Sequence, residues 1–183
     1  QSLTNPRILN ELGDLNLLPY NEIPFGIDGC NYATAPFTHA NPDGSRFADG
    51  SYGILYLAKS MLTAIEETVY HQERYFKKIS GLHYDTLTMR GLKLSFSNRL
   101  LDITDANKSI YDPDDYTQSQ ALGREAKKQS VEALQYESVR DPKKLCWALF
   151  TPERVMSAIQ TKHYEYVWNG KIIASVNEIN KVR

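Results

Sequence analysis

Apolar and polar residues alternate along the chain in short runs that predict strands. Residues 52–58, with the sequence YGILYLA, are apolar and aromatic, which is typical of a buried strand. Because successive residues of a strand point to opposite faces, we expect Tyr56 on one face and Leu55 and Leu57 on the other. A tyrosine in such a strand is either a core residue or a flat surface for a planar ligand.

The segment after this strand predicts the clearest helix of the chain, over residues 61–79, with Ser60 as its N-cap. At about 100° per residue, one apolar stripe of this helix should face the core. The stripe contains Leu62, Ile65, Val69 and Phe76. Glu67 and His71, which are four residues apart, share the opposite face with small and aromatic residues. That face is therefore not simply a row of solvated charges.

Turn-forming residues separate the other predicted elements. Residues 1–29 mix apolar residues with turn formers and predict an N-terminal arm, and residues 30–50 predict a long loop, which is often a functional feature. Asn169-Gly170 lies between two alternating runs and predicts a β-hairpin. Further strands are predicted over 92–96, 134–139 and 145–150, and a second helix over 117–129.

These elements predict an α+β fold, because the strands are not regularly interleaved with helices. The chain has 183 residues, which is the size of one domain. We therefore predict a single domain over residues 1–183, in which the arm lies over a core formed by residues 30–176.

Composition mainly excludes classes of protein. The sequence has 21 Lys and Arg against 22 Asp and Glu, a net charge of -1, so nothing favours nucleic acid or an anionic membrane as a partner. No run approaches the roughly 18 apolar residues of a membrane span, and no charged-then-apolar leader marks the chain as secreted. Cys30 and Cys146 are typical of free thiols in a reducing compartment, so we expect a cytoplasmic protein.

Common catalytic motifs do not occur in the sequence. It contains no GxGxxG, GxxxxGK[ST], HExxH or GxSxG. Its four histidines are dispersed and have no metal-ligand spacing, so we expect no metal. These observations weaken the case for Rossmann dehydrogenases, P-loop enzymes, zincins and α/β-hydrolases.

One stretch of the sequence concentrates candidate chemistry. Arg46 follows a polar loop, and its planar guanidinium can form bidentate hydrogen bonds with a phosphate or a carboxylate. Tyr56 could stack on a flat heterocycle, and Glu67 lies on a helix face with few other charges. Residue chemistry alone leaves open a structural ion pair for Arg46 and a core position for Tyr56. It also leaves open a solvated helix face for Glu67 and His71.

The order and spacing of these residues resemble the RES domain, a family named for its Arg, Glu and Ser. The resemblance covers roughly residues 33–170 and rests on several short motifs that occur in the same order. The motifs are Ser45-Arg46-Phe47, GILYLAKS at 53–60, TAIEETVYH at 63–71, YTQSQ at 116–120, YESVRDP at 136–142, and LCWALF at 145–150 followed by Pro152. APFTH at 35–39 is similar to one branch of the family, the toxins paired with Xre-type antitoxins.

This resemblance implies a fold similar to that of ADP-ribosyltransferase toxins, a compact split β-sheet with flanking helices. It implies NAD+ as the substrate, with attack at the nicotinamide–ribose bond. By the same resemblance, Arg46 would hold the phosphates or the nearby ribose. Tyr56 would pack on the nicotinamide ring, and Glu67 would stabilise positive charge at the ribose.

Three further residues follow from the same motifs. Ser138 would complete the pocket. His71, one turn after Glu67, would either support Glu67 without touching the substrate or lie where the acceptor of the ADP-ribose binds. Gln120 would lie in the pocket or cap a helix. The resemblance also implies a cognate Xre-type antitoxin that covers the pocket.

The acceptor of the ADP-ribose stays open at this point. One branch of the family is associated with NAD breakdown, so water or phosphate is one class of acceptor. The branch with the APFTH-like segment is associated with modification of a phosphoribosyl pyrophosphate synthetase, which favours transfer to a protein.

Two other functions remain as alternatives. The first is a non-catalytic protein-binding module whose interface uses some of the twelve tyrosines. The second is a glycoside-type hydrolase that uses Glu67 with an acidic partner such as Asp115.

Overall fold

The computed structural model describes residues 13–180, and its elements confirm an α+β fold. Within this range the α-helices are α1 (Cys30–Thr38), α2 (Met61–Phe76) and α3 (Thr117–Lys128). The strands are β1 (Leu55–Ala58), β2 (Asp85–Phe96), β3 (Leu100–Asp102), β4 (Ala133–Glu137), β5 (Leu145–Leu149), β6 (Val155–Trp168) and β7 (Ile173–Ile179). Short 3-10 helices cover Leu15–Leu17, Tyr20–Glu22 and Lys108–Tyr111.

The predicted N-terminal arm is described in part, because residues 1–12 lie outside the described range. The described part contains two of the 3-10 helices, and Leu18 between them is buried in the core. No helix between residues 13 and 180 combines the length and the apolar character that crossing a bilayer requires.

A four-stranded sheet with the order β1-β5-β4-β3 carries most of the buried core. β5 pairs antiparallel with β1 and β4, and β3 pairs in parallel with β4. One face of the sheet packs against α3 and Phe47, and the other packs against α1 and the start of β6. The alternation predicted for residues 52–58 is confirmed, since Tyr56 contacts the first of these cores and Leu55 and Leu57 the second.

A second sheet of three antiparallel strands has the order β2-β6-β7. The hairpin predicted at Asn169-Gly170 is confirmed as the connection from β6 to β7, and Gly170 has the positive φ of +91° that favours glycine. The helix α2 packs on this sheet, and the ring of Phe76 lies 5.4 Å from that of Trp168.

The predicted core stripe of α2 is confirmed except at Leu62. Ile65, Val69 and Phe76 belong to the core on the three-stranded sheet, whereas Leu62 is 74% exposed. The first turn of the helix packs in another direction, because Thr63 is fully buried there and its hydroxyl donates to Asp141 Oδ2 at 2.8 Å.

The long loop predicted over residues 30–50 is wrong for its first part, which forms the helix α1. Gly29, at φ +72°, precedes the helix, and Ala33 and Phe37 of α1 are buried in the core. Pro36 lies inside the helix although it has no backbone N–H to donate. Burial of the apolar face therefore outweighs the local signal of proline, and the loop begins after His39.

Gly123 of α3 lies against the backbone of the loop that carries Arg46. A Cβ atom at Gly123 would lie 1.9 Å from the carbonyl oxygen of Phe47. We expect Gly123→Ala to lower the free energy of unfolding by about 1–3 kcal/mol, because helix and loop must move apart. Thermal denaturation should show a fall in Tm of several degrees.

Gly91→Ala is a suitable control, because the three atoms nearest to its Cβ would all belong to side chains, with Thr161 Oγ1 nearest at 2.9 Å. We expect a smaller fall in Tm for Gly91→Ala. Equal Tm values for the Gly123 variant and the parent chain would contradict the close packing of α3 on this loop.

Candidate functional site

A cleft of about 950 Å³ opens between α2, the loop over residues 41–46 and the segment over residues 114–117. This volume lies near the upper end of the range for small-molecule sites, about 300–1,000 Å³. Of the residues singled out in the sequence, the cleft is lined by Arg46, Tyr56, Glu67, His71 and Gln120. Ser138 is not on the wall of the cleft, but lies directly behind Glu67.

Ser138 holds the carboxylate of Glu67 in one orientation. The Ser138 hydroxyl oxygen accepts hydrogen bonds from the backbone N–H groups of Arg140, at 3.1 Å, and Asp141, at 2.8 Å. Because these donors occupy its acceptor positions, the hydroxyl donates its proton to Glu67 Oε1 at 2.6 Å. Within residues 13–180, Glu67 Oε2 has no hydrogen-bond partner, so one oxygen is held and the other is available to a ligand.

The turn that follows β4 fixes this serine. The backbone N–H of Ser138 donates to Lys144 O at 2.7 Å, and the bond from Thr63 to Asp141 ties the same turn to α2. Lys143 in this turn has a φ of +67°, a conformation that favours glycine. Lys143 is therefore a strained residue in the turn that positions Ser138 beside Glu67.

Arg46 is a buried cation, and only one of its three guanidinium nitrogens has a hydrogen-bond partner among the described residues. Its side chain is 8% exposed, and Nη1 donates to the carbonyl oxygens of Ile110, at 3.1 Å, and Asp112, at 3.0 Å. The guanidinium carbon lies 4.6 Å from the centre of the Tyr116 ring. No carboxylate of the described residues is within ion-pair distance of Arg46, and its Nε and Nη2 have no hydrogen-bond partner there. A buried cation of this kind suits an anionic ligand.

Tyr56 and Gln120 fix the loop that carries Arg46. The Tyr56 hydroxyl accepts from the backbone N–H of Phe47 at 3.0 Å and shares a hydrogen bond of 2.8 Å with Ser45 Oγ. Burial raises the pKa of Tyr56, so its phenol stays protonated at neutral pH. Gln120 Nε2 donates to the carbonyl oxygens of Ser45, at 3.0 Å, and Ala48, at 3.2 Å. Gln120 therefore lines the cleft and binds the loop rather than capping a helix.

His71 lies at the mouth of the cleft, one turn of α2 after Glu67. Although the ring is open to solvent on one side, the walls of the cleft desolvate the imidazolium. This desolvation lowers the pKa of His71 more than the nearby carboxylate of Glu67 raises it. His71 is therefore neutral at pH 7 and is able to accept a proton.

Asp115 also lines the cleft, although no spacing in the sequence predicts that it shares a site with Glu67. Its carboxylate accepts a hydrogen bond of 2.8 Å from the backbone N–H of Thr117. Hydrogen bonds from Thr117 lower the pKa of Asp115, so this carboxyl is ionised at neutral pH. A glycosidase needs an acid whose pKa is raised, so the environment of Asp115 disfavours the hydrolase alternative.

Two tyrosines of the cleft were missed in the sequence, Tyr116 and Tyr136. Tyr116 lies under the guanidinium of Arg46, and Tyr136 packs edge-on against Phe47 with ring centres 5.0 Å apart. The signal that could have found them is the high tyrosine count, but only the strand order places Tyr136 on the same sheet face as Tyr56.

The cleft also contains a buried thiol, that of Cys146. Burial, followed by the charge of Glu67, raises the pKa of Cys146 to about 12, so this thiol is protonated and is not a nucleophile at neutral pH. Across residues 13–180, no three His, Cys, Asp or Glu side chains are grouped so as to hold a metal ion.

The chain is similar to a known protein family over most of its length. A family model described as the RES domain matches residues 23–169, which include all six candidate residues. A relative described as "Uncharacterized protein y4oC", from Sinorhizobium fredii (strain NBRC 101917 / NGR234), is 29% identical over 174 residues. The aligned region covers 95% of this chain and 72% of the relative.

Proposed function

Because the chain belongs to the RES domain family, which fits a toxin–antitoxin module and is linked to NAD-using toxins, we propose that it cleaves the nicotinamide–ribose bond of NAD+. The observation that carries this proposal is the meeting of a buried guanidinium, a protonated phenol and an oriented carboxylate on one cleft. These groups belong to Arg46, Tyr56 and Glu67.

The reaction breaks the bond between the ribose C1′ and the pyridinium nitrogen. The electron pair of this bond goes to the nitrogen, so nicotinamide leaves as a neutral molecule and needs no general acid. The ribose develops oxocarbenium character, as in glycoside hydrolysis. Glu67 supplies the negative charge that stabilises it, and Oε2, which has no partner among the described residues, accepts from a ribose hydroxyl.

Residues on the other wall of the cleft bind and orient NAD+. Arg46 offers Nε and Nη2 to the phosphates, while Nη1 stays on the carbonyl oxygens of the 110–112 segment. The ring of Tyr56 packs against the nicotinamide, and its hydroxyl keeps the loop of Arg46 in place.

The second half of the reaction joins C1′ to an oxygen of the acceptor, which loses a proton. His71 is neutral, lies at the mouth of the cleft and takes that proton in our proposal. We propose a protein acceptor such as a phosphoribosyl pyrophosphate synthetase, with water or phosphate as competing acceptors. We further propose a cytoplasmic toxin whose Xre-type antitoxin covers the cleft.

Incubation of the purified protein with NAD+ tests the proposal. Nicotinamide is followed by chromatography in three arms: buffer alone, inorganic phosphate, and a candidate acceptor protein. Mass spectrometry then identifies ADP-ribose, ADP-ribose 1″-phosphate or a modified protein, which separates hydrolysis, phosphorolysis and transfer. The absence of nicotinamide release in all three arms would contradict the proposal and favour a non-catalytic binding module.

A further inference from the structure

The cleft continues well beyond the residues assigned to the reaction. We infer that its outer half, formed by Arg74 and Tyr75 at the C-terminal end of α2 and by Lys78 in the turn that follows, binds the adenosine diphosphate half of the substrate. The identity of this ligand rests on the proposed function. The shape and charge of the outer half do not depend on that function.

The length of the cleft follows from the helix that forms its wall. One face of α2 lines it with Glu67, His71, Arg74 and Tyr75, and the turn after the helix adds Lys78. At 1.5 Å per residue, Tyr75 lies about 12 Å along the helix axis from Glu67. A mononucleotide whose ribose is held at Glu67 would leave this outer half empty, whereas a dinucleotide has a second nucleoside to fill it.

Tyr75 offers an aromatic surface at this end of the cleft. The residue is 60% exposed, and its ring lies 5.9 Å, centre to centre, from the buried ring of Phe76. Its hydroxyl has no hydrogen-bond partner within residues 13–180. An exposed aromatic ring on a cleft wall suits stacking on a base.

The charges beside Tyr75 suit a diphosphate. Lys78 Nζ contacts Asp43 Oδ2 at 3.4 Å, but both side chains are well exposed, so this ion pair contributes little and a phosphate can replace it. Arg74 Nη1 donates to the Tyr70 hydroxyl at 3.2 Å, which leaves its other nitrogens for a ligand. With Arg46, three cations line one cleft.

Calorimetric titration with ADP tests this subsite without any reaction. We expect the parent chain to bind ADP and Tyr75→Ala to weaken binding by about tenfold or more. Lys78→Ala should weaken it several-fold. The matched controls are Tyr84→Ala, since Tyr84 is 66% exposed but is not on the cleft, and Lys77→Ala, since Lys77 pairs with Glu73 instead. Both controls should bind ADP like the parent chain.

Nicotinamide release from NAD+ and from nicotinamide mononucleotide gives a second readout. Tyr75→Ala should raise the KM for NAD+ about tenfold and leave the kinetics with the mononucleotide within twofold. Equal effects on both substrates, or no effect on ADP binding, would overturn the inference. If ADP binding depends on Tyr75 but NAD+ is never cleaved, the proposed reaction fails and the subsite stands.

Discussion

Glu67→Gln should lower the rate of nicotinamide release from NAD+ by about 100- to 1,000-fold. The amide has the size of the carboxylate, and its oxygen can still accept from Ser138, so the local structure should persist. It has no negative charge to offset the oxocarbenium character of the ribose. We therefore expect kcat to fall while the Kd for NAD+, measured by calorimetry, stays within a few-fold of the parent value.

Glu66→Gln is the matched control, because Glu66 is the preceding residue of α2, is exposed and does not line the cleft. It should have the kcat and Kd of the parent chain. An equal loss of kcat in both variants would show that helix stability, rather than charge at the ribose, is responsible. A loss of NAD+ affinity with unchanged kcat would contradict the role assigned to Glu67. Tm values for both variants show whether the fold is retained.

The parts of the fold that local signals determine could be predicted from the sequence. Ser60 caps α2 as expected, since its Oγ accepts from the backbone N–H of Thr63 at 3.1 Å. The alternation around Tyr56 and the turn at Asn169-Gly170 also depend on neighbouring residues only. The family membership was predicted from short motifs and is confirmed, whereas the likeness to ADP-ribosyltransferases stays a prediction.

Features that depend on distant residues could not be predicted in this way. The strand expected over 92–96 is the end of the twelve-residue strand β2, whose outer half contains polar residues and is held by pairing with β6. Tyr136 enters the cleft only because β5 lies between β1 and β4. Ser138 acts behind Glu67 because a strained turn after β4 holds its hydroxyl there.

Arg46→Lys should lower kcat/KM for NAD+ by about 10- to 100-fold, mainly through a higher KM. Arg46 holds two carbonyl oxygens with Nη1, and its Nε and Nη2 have no partner among the described residues. A lysine keeps the charge, but its single ammonium group cannot take both roles. One hydrogen bond to a charged group contributes about 1.5–3 kcal/mol, which corresponds to a loss of this size.

Arg124→Lys is the control, because Arg124 is an exposed arginine outside the cleft that pairs with Asp49 at 3.4 Å. Its kcat/KM should equal that of the parent chain. Arg46→Ala should reduce kcat/KM further, but it also removes the donor for Ile110 and Asp112 and should lower the Tm, so Arg46→Lys is the sharper test. If Arg46→Lys retains full kcat/KM, the guanidinium serves only to anchor the segment over residues 110–112, and the phosphates of NAD+ must be held elsewhere.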